Sequence, residues 1–432
     1  MHRNRGGLWA GLAALLAFTG AAGGQGRQEP PPVAVELRPL TESWVRGPAM
    51  VIDTFQFDTR FELQSSAGSV EPDLTEVLLG TRTLRLESGG DGRQVNLRAA
   101  DLAAMDLSNV FLRLRLKVAG VEHLRSMYLY LSHDGFATHD AYELYAQAPA
   151  LSERRLDDSQ WGVFTLNLGT PLEAPQVDLT RVTGLQLSVV DDGQAPVSVW
   201  LDGLDAVAAP KRGVVTVMFD DARSGVYELG LPQAQRHGVR ASVAVIRDLV
   251  DVDTFMTLEQ LHLIERFADW EVVAHHATPL DQGFDSLSEE QLRAELAGVK
   301  SWMLEHGFRR GADVIVYPHG LIDGPAIEAV RDYYAAGRTV TRGGGLETLP
   351  PADPYRLRAF SVESSDSVEA IKAVIDRAAR DRGWLILVFH QLVNYPPEYG
   401  AQYGGIDFAL VMAHLAAADV DVLPFTEAVL GR

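Results

Sequence analysis

The run Gly213-Val214-Val215-Thr216-Val217-Met218-Phe219-Asp220-Asp221-Ala222 lies almost at the midpoint of a 432-residue chain. It brackets one polar residue, Thr216, with five apolar ones and then delivers two adjacent carboxylates. An apolar run with no charge between Val214 and Phe219 reads as a strand buried on both faces, the kind that parallel sheets contain. In such sheets, polar residues at the carboxyl ends of strands face the site, while those in the strand body face the core. Neighbouring side chains of an extended backbone point to opposite sides, so Asp220 and Asp221 can take different tasks, one on a metal and one on a proton. The competing reading is a solvated turn after a strand, which the apolar run and the histidines downstream make the weaker of the two.

Strand-like and helix-like segments alternate from there to the end of the chain. Val226 to Gly238 carries a helical pattern closed by His237-Gly238, and Ala241 to Ile246 is a second apolar strand. Thr257 to Ala268 is helical, with Gln260 three residues after Thr257 at capping-box spacing. Trp270 to Ala274 is a third strand that runs into His275-His276-Ala277-Thr278-Pro279. Helices follow at Ser288 to His306, Pro325 to Tyr334, Asp366 to Asp381 and Phe408 to Ala418. Strands follow at Asp313 to Tyr317, at Trp384 to Phe389 with His390 at its end, and at Val420 to Leu423. Repeated βα units predict a parallel α/β fold over residues 213–432, and the strand count favours an irregular (β/α) barrel.

The half before Pro210-Lys211-Arg212-Gly213 has another pattern, and that composition break marks the expected boundary between domains 33–209 and 213–432. Short alternating segments at Thr83 to Glu87, Val110 to Val118, Met127 to Leu131, Gly162 to Leu168 and Leu185 to Val190 predict an all-β jelly-roll sandwich. This half resembles the jelly-roll carbohydrate-binding modules that accompany secreted polysaccharide enzymes. The similarity rests on Gly80 to Leu86, Trp161 to Leu166 and the closing Val199-Trp200-Leu201-Asp202-Gly203-Leu204. It implies a structural calcium with Asp202 as a candidate ligand, set against the plainer reading of a turn residue. Trp44, Tyr128, Tyr130 and Tyr142 become candidates for stacking on sugar rings, set against burial in the core.

His2-Arg3-Asn4-Arg5, the uncharged run Leu8 to Ala22 and the small residues ending at Gly24 have the layout of a secretory signal peptide, 1–24. A polar, Pro-rich linker, 25–32, follows. The expected product is exported, periplasmic or extracellular, with no integral membrane span, since no other apolar run is long enough. With 38 basic and 58 acidic residues the net charge is −20, which disfavours nucleic acid and anionic membranes as partners. There is no cysteine, which excludes disulfides, thiolate catalysis and cysteine-based zinc sites.

Three separate strands therefore end in Asp220-Asp221, His275 and His390, and in a parallel barrel such ends converge on one face. Carboxylate plus imidazole suits a divalent ion of the zinc class, with a second carboxylate and a distant histidine as base and acid. Such a set hydrolyses an acyl bond.

The second half resembles the polysaccharide deacetylases of carbohydrate esterase family four, the NodB-homology domain. Phe219-Asp220-Asp221, Glu271 to His275, Val316-Tyr317-Pro318-His319-Gly320 and Leu385 to His390 carry the resemblance in order. It implies Asp220 as catalytic base, Asp221 and His275 as metal ligands, His390 as general acid and zinc as the expected metal. Tyr317, Pro318, His319 and Gly320 line the groove in this reading, with a backbone amide near His319 as oxyanion donor. The implied activity is removal of N-acetyl or O-acetyl groups from an acetylated polysaccharide of a cell wall or extracellular glycan.

The chain also departs from that pattern. Pro279 stands four residues after His275, where the second motif histidine belongs, and His276 or Asp281 is left as substitute ligand. Ala222 replaces the usual Gly, the Arg that often precedes the groove is missing, and Asp366 has no Trp after it. A polysaccharide-binding protein that has lost metal and chemistry is therefore the alternative. A phosphatase using the Asp pair is disfavoured because the two are adjacent and no phosphate loop follows.

Overall fold

The computed structural model describes residues 37, 49–146, 156, 158–169, 171–340, 345–394 and 396–431. The expected signal peptide, the linker and Trp44 lie outside the described residues. Contacts divide the chain at Pro32, and everything described below belongs to the unit Val33–Arg432.

Residues 50–208 build two antiparallel sheets. One runs Gly68–Asp73, Thr83–Ser88, Ser198–Ala208, Val110–Ala119, Trp161–Asn167, with Met50–Asp53 also on Ser198–Ala208. The other runs Glu62–Leu63, Val95–Ala99, Gly184–Asp191, Leu124–Ser132, Asp140–Ala146. Alternation along the strands turns one face inward: in Val95–Ala99, Val95, Leu97 and Ala99 are buried, while Asn96 and Arg98 are not. Leu114, Leu116, Leu129, Leu131, Leu185 and Leu187 join them in one core.

Tyr142 belongs to that core, with its hydroxyl donating to the Leu168 carbonyl, so it is not a sugar platform. Tyr128 and Tyr130 stand half-buried on the other face of the same sheet. Asp202 lies at a bulge. The register shifts between Leu201 and Leu204, and Gly203 at φ 118° turns the backbone there. The Asp202 carboxylate accepts the amides of Leu78 (2.6 Å) and Leu79 (2.5 Å), tying a turn to the last strand. Among the described residues no three acidic or histidine side chains form a group able to hold a metal ion.

The third sheet is parallel, in the order Ala336–Arg338, Gly311–Val316, Glu271–His276, Ala241–Ile246, Gly213–Phe219, Trp384–Phe389, Phe360–Ser361. Val420–Val422 pairs with the start of Gly213–Phe219. Its edges are not joined by a regular ladder. One bent segment bridges them instead: Leu357 exchanges hydrogen bonds with Gly337 and Thr339, and Phe360–Ser361 pairs with Trp384–Phe389. Every residue of Gly213–Phe219 and Trp384–Phe389 is buried, as their apolar runs require. Helices Leu258–Ala268, Glu289–Glu305, Gly324–Arg331, Val368–Asp381 and Gly405–Ala417 pack around the sheet. The first two open with complete capping boxes, Thr257 with Gln260 and Ser288 with Gln291.

The two halves meet away from the carboxyl ends of the parallel strands. Asn167 donates to the Asp381 carbonyl (2.7 Å), and Arg382 donates to Asn109 (2.8 Å) and to the Ser108 carbonyl (2.8 Å). Asp381 and Arg382 precede Trp384–Phe389, whose opposite end carries His390. The sandwich therefore props the sheet from the side opposite the site.

Candidate active site

Two central strands set the site. Gly213–Phe219 and Trp384–Phe389 pair in parallel with Phe219 opposite Phe389, and the Asp220 amide continues the ladder onto the Phe389 carbonyl (2.9 Å). Beneath this point Phe219 stacks on Trp270 (5.5 Å) and meets Phe389 (5.9 Å) and Phe408 (5.7 Å). The aromatic cluster holds the two strand ends in place, and the next residues of each strand become neighbours. Asp220 Oδ2 lies 3.9 Å from His390 Nε2.

Asp221 turns the other way. Asp221 and Ala222 both adopt left-handed backbone (φ 66° and 52°), a conformation that costs energy for residues other than Gly and that accumulates at functional sites. The turn brings Asp221 Oδ1 to 3.8 Å from His275 Nε2 and Asp221 Oδ2 to 3.5 Å from Arg223 Nε.

His275 is buried at the end of Glu271–His276, with Nδ1 3.0 Å from the Val316 carbonyl. A carbonyl only accepts, so Nδ1 carries the hydrogen and Nε2 keeps its lone pair toward Asp221. Burial pushes its pKa well down, and His276 and Arg338 push it the same way. His276 has its ring edge-on to His275 at 4.3 Å and its Nδ1 against the Thr278 carbonyl. Burial lowers its pKa too, against the opposing pull of Thr278 and Asp221.

Arg338 was not anticipated from the sequence. It ends the three-residue strand Ala336–Arg338, is wholly inaccessible to solvent, and pairs with Asp220 Oδ1. No apolar run announces so short a strand, and only the pairing of Ala336–Arg338 with Gly311–Val316 carries the guanidinium to Asp220.

The groove motif is mostly core. Tyr317 is 1% exposed with its hydroxyl on the Tyr355 carbonyl (2.9 Å), and burial pushes its phenol well up. Pro318 and Gly320 are buried as well, so His319 alone of the four is exposed. His319 has φ 56°, and the amides of Tyr317, Gly320 and Leu321 already donate to Arg338, Tyr317 and Pro318 carbonyls. Asp366 accepts the Glu363 amide (2.8 Å) and caps its own turn, while the His390 Nδ1 is buried without a hydrogen-bond partner.

The donor set does not fit the three-ligand divalent site that the motifs imply. Asp221 and His275 face each other, but among the described residues no third His, Asp or Glu joins them in a group able to hold a metal ion. His276 bonds the Thr278 carbonyl through Nδ1 and keeps its Nε2 lone pair, but among the described residues it forms no three-ligand group with Asp221 and His275; Asp281 is exposed, and Pro279, at the position of the second motif histidine, offers no donor. What the strands do bring together is two carboxylates, two arginines and two neutral imidazoles, with His390 beside them.

No protein-family model matches the chain. No curated protein matches it either. Among solved structures, the carbohydrate esterase family 4 domain of a multidomain xylanase from the hindgut metagenome of Trinervitermes trinervoides is 15% identical, covering 50% of this chain and 90% of that one, TM-score 0.36. A family 4 acetyl xylan esterase from Clostridium thermocellum, in complex with a cobalt ion, is 17% identical, covering 50% and 89%, TM-score 0.35. Carbohydrate-binding modules of the β-sandwich superfamily are 12% identical, covering 39% and 63%, TM-score 0.28. The similar structures for the parallel half are thus carbohydrate esterases and deacetylases, at identities and TM-scores too low to carry a function across.

Proposed function

We propose that this chain is an exported hydrolase that removes acyl groups, N-acetyl or O-acetyl, from a polysaccharide. The observation that supports it is the pairing of Asp220 Oδ2 with His390 Nε2 at 3.9 Å, on the ends of two adjacent, in-register parallel strands. A base and an acid at that spacing share one reacting centre: Asp220 takes the proton of the attacking water and His390 gives one to the leaving nitrogen or oxygen. Arg338 occupies the other oxygen of Asp220, which leaves Oδ2 as the proton acceptor. The polysaccharide as substrate class follows from the ordered motif resemblance and from the β-sandwich that precedes the sheet. Tyr128 and Tyr130, half-buried on the outer face of one sheet of that sandwich, are proposed to hold the glycan chain. Aromatic faces pack on sugar rings. The leader, 1–24, is proposed to direct export. Acetate release from acetylated glucosamine oligomers or acetylxylan tests the reading. Wild-type release that is lost in Asp220→Asn supports it, and full release by that variant ends it.

A second reading, a polysaccharide-binding protein without hydrolysis, is favoured by the incomplete ligand set around Asp221. It predicts glycan binding with no acetate release under any metal condition.

A further inference from the structure

We propose that Arg223 supplies the positive charge that a divalent ion would bring to this site, so that acyl hydrolysis here proceeds without a metal. The inference rests on the hydrolase reading above. Asp221 is already paired: Arg223 Nε stands 3.5 Å from Oδ2. Asp220 is paired with Arg338, so two carboxylates meet two guanidiniums. A divalent ion entering this cluster meets a site whose charge is already balanced, and it meets Arg223 as a like charge on the carboxylate it needs. Among the described residues no third His, Asp or Glu completes a metal-holding group with Asp221 and His275 to offset this.

Arg223 is held for the task. Its guanidinium carbon lies 4.1 Å from the centroid of the Phe255 ring, and the backbones of Arg223 and Phe255 form a bridge. The Ser224 amide donates to Thr254 (2.9 Å) and the Met256 amide to Ala222 (2.7 Å), so two loops clamp the residue between them. Thr254 takes φ 71°, rare for a β-branched residue, and with Asp221 and Ala222 it makes three such backbones around one side chain. The Arg223 side chain is 18% exposed, neither free in solvent nor sealed off, which leaves donors accessible to a ligand. A guanidinium fixed in this way is a fork of donors for an oxygen that gains negative charge, and it is positive at every working pH.

The reaction balances without a further reagent. Water adds to the acyl carbon, its proton passes to Asp220 Oδ2, and the charge on the carbonyl oxygen faces Arg223. The C–N or C–O bond then breaks as His390 protonates the leaving group, giving a free amine or hydroxyl and acetic acid, which ionises to acetate in water. The proton on Asp220 passes to His390 through one water, because the 3.9 Å between them is beyond direct hydrogen-bond reach.

The test is metal content and acetate release of the purified full chain, before and after dialysis against a chelator. The expected result is substoichiometric divalent metal, release unchanged by chelation, and a fall of about 100-fold in kcat for Arg223→Met, with Arg223→Lys in between. A stoichiometric divalent ion, or activity lost on chelation and restored by zinc, overturns the role of Arg223 and leaves the hydrolase reading standing. So does Arg223→Met at wild-type kcat. No acetate release with or without added metal overturns both together.

Discussion

Asp220 and Arg338 form an ion pair in which the guanidinium is fully buried and the carboxylate side chain is 5% exposed. Removing one partner of such a pair leaves a charge without compensation in the interior, which is far more costly than removing both. Arg338→Met is expected to lower the unfolding free energy by about 3–5 kcal/mol, and the double variant Asp220→Asn/Arg338→Met to recover most of it. Urea unfolding of the four proteins checks this. A single Arg338→Met change that leaves stability as it was would show that the pair contributes nothing.

The acid and base are separable. Asp220→Asn and His390→Ala are each expected to reduce kcat for acetate release by about 10²–10⁴-fold. The effect of combining them should be much smaller than the product of the two, because they serve one proton circuit. Fully multiplicative losses in the double variant would place the two residues in independent roles.

Glu271 gives the fold a pH dependence of known sign. It is wholly buried at the start of the strand that ends in His275, and its Oε1 accepts Ser242 Oγ (2.7 Å) and the Thr426 amide (2.9 Å). Its Oε2 has no partner. Burial raises its pKa from the ordinary 4.5, against the pull of those hydrogen bonds and of Arg310, and Glu265 nearby is raised as well. A carboxyl that holds its proton more tightly when folded contributes its full stability below the unfolded pKa and loses it as pH rises through the folded one. Glu271→Gln is therefore expected to flatten the fall in melting temperature on going from acid to alkaline pH. Equal slopes in variant and wild type would assign the pH dependence elsewhere.

On the sandwich, Tyr130 packs edge-on against His139 at 5.3 Å and lies 6.3 Å from Tyr128. Replacing Tyr128 and Tyr130 by Ala removes both rings from the solvent side of the sheet without touching the core. Retention on insoluble acetylated polysaccharide is expected to weaken about tenfold or more, at about 1 kcal/mol for each ring removed. Acetate release from short soluble oligomers is expected to stay as in wild type. Unchanged retention would make this face an ordinary surface.

The linear order of residues determined much of this protein. Apolar runs such as Val214–Phe219 and Leu385–Phe389, short and rich in β-branched residues or bounded by turn signals, read as strands buried on both faces, and they are. The capping boxes at Thr257 and Ser288 locate helix starts by local hydrogen bonding alone. Strand ends are where such runs stop, so Asp220, Asp221, His275 and His390 stand out from the order of residues alone. Tertiary structure decided the rest, because it depends on residues distant in sequence. Arg338 sits on a strand too short to show a period, and it matters only because the sheet brings it against a carboxylate 118 positions away in the chain. Tyr317 read as groove and is core, since the direction of a side chain is set by what packs on its strand and not by the motif around it. Arg223 reaches Asp221 only through two left-handed residues that the sequence pattern does not signal, and that turn decides which cation the carboxylate meets.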